Sequence, residues 1–88
     1  SLQEIYPNPA IDRLKVKWDN RLAEEPSELS LQLIDATTGI TVQEESVDPS
    51  YGKHEASVEL KSVKLGGYLL KLQSKNFSSK ALHVVVTK

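Results

Sequence analysis

Apolar and polar residues alternate with period two along most of this chain. Leu14, Val16 and Trp18 alternate with Arg13, Lys15 and Lys17, which makes one face apolar and the other basic. Successive side chains of a strand point to opposite faces, so this is the pattern of a half-buried strand. Leu29, Leu31 and Leu33 alternate with Ser30 and Gln32, and the run continues through Ile40 and Val42 after a turn at Thr37-Thr38-Gly39. The spacing predicts a hairpin with a loop of roughly five residues. Val58 and Leu60 alternate with Ser57 and Glu59. Tyr68, Leu70 and Leu72 alternate with Leu69 and Lys71 after Gly66-Gly67. Leu82, Val84 and Val86 alternate with His83, Val85 and Thr87.

Between these runs lie Asn8-Pro9, Asp19-Asn20, Glu24-Glu25-Pro26-Ser27, Asp48-Pro49-Ser50-Tyr51-Gly52 and Ser74-Lys75-Asn76. Each carries residues that supply turn dihedrals or local side-chain bonds. Nothing from Asp19 to Glu28 sustains a helical period, and there is no internal repeat. Six or seven short strands with turns at regular spacing predict an antiparallel β-sandwich. Asp35 and Asp48 fall at turns, where Asp commonly bonds the local backbone.

Composition narrows the picture. The 88 residues make one domain with a thin core. Eleven basic and 12 acidic residues leave a net charge of −1. No long-range field attracts nucleic acid or an anionic membrane. There is no cysteine, so packing alone holds the fold. The absence of Met, even at position 1, suggests a domain excised from a larger parent that supplies any N-terminal targeting.

Candidate chemistry is sparse. His54 and His83 are the only histidines, and neither accompanies a nucleophile motif. Each is expected on the polar face of a strand. Glu44 and Glu45 are neighbours on a strand and so diverge. Neither a calcium loop nor a zinc spacing occurs. No catalytic residue, metal site or cofactor is therefore expected. Trp18, Tyr6, Tyr51 and Tyr68 offer material for a sugar-stacking platform, but Trp18 and Tyr68 share the phase of apolar neighbours and are expected in the core. Arg13, Lys15 and Lys17 read as a solvated face or a guarded edge.

Three segments in order resemble the C-terminal sorting domain of type IX secretion. These are Ile5-Tyr6-Pro7-Asn8-Pro9-Ala10 with Asp12, Leu14 and Val16; Leu33-Ile34-Asp35 with Gly39 and Val42; and Leu65 to Leu72 with Lys80 to Lys88. The resemblance runs from about residue 5 to 88. Pro7 and Pro9 independently favour extended predecessors, so Tyr6, Pro7, Asn8 and Pro9 form a stiff connector into the strand that follows, with Tyr6 as an anchor.

The resemblance implies an immunoglobulin-like sandwich of about seven strands, residues 1–88 forming a single domain, with residues 1–10 the connector and first strand. It implies a non-enzymatic address that carries a parent protein of Bacteroidota through the periplasm and across the outer membrane, to the cell surface or the medium. The implied partners are the outer-membrane secretion machinery and the parent. In many cargo proteins a sortase-like surface peptidase removes the domain and joins the remainder to lipopolysaccharide; some machinery components keep it. Recognition is expected to rest on Gly67, Tyr68, Leu70, Leu72, Lys80, Leu82, Val84, Val86 and Lys88, in a terminal hairpin that presents backbone groups and a patterned face. Competing readings are an adhesive or carbohydrate-binding module and a structural spacer. Exposed strand edges leave self-association open.

Overall fold

Among the described residues the chain folds as eight strands: β1 (Leu2–Tyr6), β2 (Arg13–Asn20), β3 (Leu29–Asp35), β4 (Thr41–Val47), β5 (Gly52–Glu59), β6 (Gly66–Ser74), β7 (Phe77–Ser78) and β8 (Leu82–Val86). The computed structural model describes residues 2–21 and 28–87. Lys88 and the turn at Glu24-Glu25-Pro26-Ser27 lie outside these residues.

Two antiparallel sheets face each other in an immunoglobulin-like sandwich. One has the order β1-β2-β5. The other runs β4-β3-β6, with β7 and β8 sharing the far side of β6. The apolar phase of each run faces inward. Leu14, Val16 and Trp18 of one sheet and Leu29, Leu31, Leu33, Tyr68, Leu70, Leu72, Val84 and Val86 of the other are buried together, with Ala10, Val58 and Leu60. Each Leu or Val side chain among them contributes about 1.5–3 kcal/mol when fully removed from water.

The β3–β4 hairpin closes over residues 36–40, as the spacing predicts. Asp35 Oδ1 accepts from the amides of Thr37 (2.8 Å) and Thr38 (3.1 Å), and Gly39 supplies the left-handed step at φ 76°. Beyond the turn the register shifts: Leu33 opposes Gln43, but Ile34 opposes Thr41. Val42 is the extra residue of this bulge. Ile40 (62%) and Val42 (47%) are consequently exposed, although the sequence pattern carries the apolar run through them.

Two strands lie outside the alternating runs, one of them the first strand expected within residues 1–10. β1 precedes the connector and pairs with β2, with its own register shift around Gln3. β7 is only two residues long. The basic face of β2 belongs to the central strand of its sheet, not to an edge. Arg13 meets Glu59 at 3.4 Å and Lys15 meets Glu55 at 3.6 Å, both across the β2–β5 pair, while Lys17 Nζ lies 5.6 Å from the centroid of the Tyr6 ring. The two ion pairs are solvent-exposed and stabilise only weakly.

Candidate recognition surface

β6 and β8 are antiparallel neighbours, so the two late segments singled out in the sequence form one surface. Gly66 opposes Val86, Gly67 opposes Val85, Tyr68 opposes Val84, Leu69 opposes His83 and Leu70 opposes Leu82. Alternation then divides the expected recognition residues. Tyr68, Leu70, Leu72, Val84 and Val86 point inward and are buried, Leu82 is half-buried, and Gly67 and Lys80 are exposed.

The outward rows of the same strands carry residues that the sequence reading did not select. Leu69 and Lys71 of β6 are half-buried, and His83 and Val85 of β8 are exposed, Val85 at 44%. Gly67 has no side chain opposite Val85, and a Cβ placed there would touch nothing. The outer face is therefore open at this point. Lys80 is set by its neighbour: Ser79 Oγ donates to the Lys80 carbonyl (3.0 Å) and accepts from the Leu72 amide (2.9 Å), while the Ser79 amide donates to Leu72 O (2.9 Å).

Tyr68 has a structural role at the start of β6. Its Oη donates to the Lys64 carbonyl four residues upstream at 2.7 Å, with the ring 5% exposed. This has the form of the tyrosine corner of immunoglobulin-like sandwiches, in which a buried phenol ties a loop to the strand it enters.

The connector reaches the same surface from the opposite sheet. Tyr6-Pro7 and Asn8-Pro9 are both cis. Asn8 Nδ2 donates to the His83 carbonyl at 2.9 Å, and its Oδ1 accepts from the Val85 amide at 3.0 Å. Two residues on, the Ala10 amide donates to Val85 O and the Thr87 amide donates to Ala10 O, each at 2.8 Å, in a parallel bridge of Ala10 with Val86. The outer edge of β8 is thus covered from His83 to Thr87. Strand addition to these groups, one form of recognition expected from the sequence, meets an occupied edge in this structure.

His54 departs from expectation. It opposes Trp18, so it lies on the inward side of β5, where the two rings stack with centroids 5.4 Å apart. Its Nε2 lies 2.9 Å from the Ser50 carbonyl and 3.3 Å from Ser50 Oγ. Buried Asn20 secures the same loop through Nδ2, at 2.7 Å from Pro49 O and 3.2 Å from Ser50 O. Hydrogen bonds from Ser50 hold the Asp48 carboxyl below the usual Asp value, the backbone amide contributing most at 2.8 Å. His54 therefore helps to organise a loop, while His83 faces solvent in the other sheet. Trp18, at 2% exposure, is closed to sugar stacking. Tyr51 is exposed, with the Arg21 guanidinium 5.0 Å from its ring centroid. Among the described residues, no three His, Cys, Asp or Glu side chains gather as a metal site.

The sequence model described as the secretion system C-terminal sorting domain matches residues 4–87, from within β1 to just past β8. The chain belongs to that family. No curated protein and no solved structure matches it. This C-terminal sorting domain has a sorting role in type IX secretion, which implies interaction with the type IX machinery and with the protein it sorts. A sorting signal of this kind is not a catalytic family.

Proposed function

We propose that residues 1–88 form a single, non-enzymatic sorting domain of a larger parent, which passes through the periplasm and crosses the outer membrane to the cell surface or the medium. The observation that carries this reading is the family match over residues 4–87. The recognised element is the β6–β8 pair, and the machinery reads its outward side, Gly67, His83 and Val85 with Leu69 and Lys71 beside them, together with exposed Lys80 just before β8. Two features support this choice. Asn8 and Ala10 cover the edge of β8, while Gly67, His83 and Val85 on the outward face are exposed. The buried members of the motif, Tyr68, Leu70, Leu72, Val84 and Val86, support the face from beneath.

The test is a fluorescent reporter directed to the periplasm and fused to residues 1–88, expressed with and without an intact type IX system. Reporter at the surface or in the medium only when the system is intact is the expected result. Periplasmic retention in both strains, or export in both, would overturn the sorting reading. Val85→Glu and His83→Glu alter the outward face without touching the core, and each is expected to lower export several-fold. Export at the natural level in both variants would exclude this face. The mass of the surface reporter also reports processing. Loss of the domain indicates removal by a sortase-like peptidase, and the full fusion mass indicates retention.

A further inference from the structure

The edge of β8 carries a detail that a sorting role does not by itself require. β8 is the last strand of its sheet, and an unpaired edge offers amides and carbonyls to any extended chain. The groups of Leu82, Val84 and Val86 face β6, so those of His83, Val85 and Thr87 face outward. Ala10 satisfies two of these groups with its own backbone, as a neighbouring strand would. Asn8 satisfies two more with its side chain. A carboxamide has one acceptor oxygen and an amide donor, as a peptide group does, so it fits a carbonyl and an amide on adjacent outward positions. Aspartate can accept but not donate, and alanine can do neither.

We infer that Asn8 is a positioning residue for β8: its carboxamide stands in for a peptide group of a missing strand, closes the edge, and fixes the direction in which His83 and Val85 face. The contact joins residues 75 and 77 positions apart in the chain. The opening motif of the domain is thereby part of the unit formed at its other end. The consequence for export rests on the proposed reading of β6–β8; the consequence for β8 itself does not.

Amide hydrogen exchange on the 88-residue chain tests the second point. In Asn8→Ala, the Val85 amide is expected to exchange about tenfold faster, because it loses its acceptor, while Val84 and Val86 keep their rates. Asn8→Asp retains the acceptor and is expected to restore most of the Val85 protection. One common acceleration of all three amides, or none, would overturn the inference. Export of the reporter fusion tests the first point. Asn8→Ala is expected to cut surface reporter several-fold relative to Val58→Ala, a core control in the other sheet chosen to be at least as destabilising. Equal export of the two variants would reduce Asn8 to a contributor to stability and overturn the positioning role for export. Should the natural domain fail to direct export, the sorting reading falls, and the exchange rates still decide whether Asn8 holds β8.

Discussion

Asp48 shows how one side chain sets the behaviour of a loop. Its carboxylate accepts from the Ser50 amide, an interaction available to the charged form, and this lowers its pKa below the ordinary 3.8. A depressed folded-state value means that the charged form adds stability at pH above the unfolded value and loses it as pH falls through the folded one. The Ser50 loop is also tied to Asn20 and His54. Asp48→Asn keeps an acceptor but loses the charge. It is expected to lower stability at neutral pH, and the gap from the natural chain should close as pH falls from about 5 to below the Asp range. Urea unfolding at several pH values measures this; a gap independent of pH would place the effect in packing instead.

At single positions, side chains with local partners were legible and those with distant partners were not. Turn chemistry at Asp35 and Asp48 follows from local sequence, because both side chains bond amides two or three residues away. The core placement of Trp18 and Tyr68 follows from phase alone. The inward turn of His54 was not legible, because it depends on β5 beginning at Gly52 and pairing His54 with Trp18 across the sheet. Asn8 could be marked as part of a motif, but its partners lie on β8, and nothing local points there.

For the strands, alternation identified β2, β3, β6 and β8 because each has one face that is largely buried. β1 shows no alternation because its register shift at Gln3 breaks the period, so its place within residues 1–10 rested on the resemblance; β7 escaped because two residues have no period. The same rule explains why the selected recognition residues are largely core. A motif recognised by its regular apolar positions is, by construction, the inward row of a strand, whereas the surface available to a partner is the row between. β4 shows a related economy. It is an edge strand of its sheet, and it carries Glu44 outward and a half-buried Glu45 in the inward phase. Charges placed this way discourage edge-to-edge pairing. Glu44→Val combined with Glu45→Val is expected to make sedimentation depend on concentration in the micromolar range more steeply than that of the natural chain. If the double variant sediments like the natural chain, the acids of β4 do not guard its edge.

For the whole molecule, fold and signal are difficult to cut apart, and this governs how a truncation is read. Removing Lys80–Lys88 deletes β8, and with it buried Val84 and Val86 and half-buried Leu82. The two buried valines account for about 3–6 kcal/mol at roughly 1.5–3 kcal/mol each, as an upper estimate, and half-buried Leu82 adds to this. That is comparable with the 5–15 kcal/mol of total stability typical of a domain, and a small domain sits near the lower end. The deletion also strips the partners of Asn8 and Ala10 and opens the edge of β6 from Gly66 to Leu70. A chain ending at Ser79 is therefore expected to lose the near-ultraviolet circular dichroism of packed Trp18 and to unfold without a cooperative transition, whereas Val85→Glu keeps both. On that outcome, failure of the truncated domain to direct export reflects loss of the fold, and only the outward variants test what the machinery reads. If the shortened chain instead unfolds cooperatively with its tryptophan signal intact, β8 is an appendage on a self-sufficient sandwich, and truncation becomes a direct test of the strand as a signal.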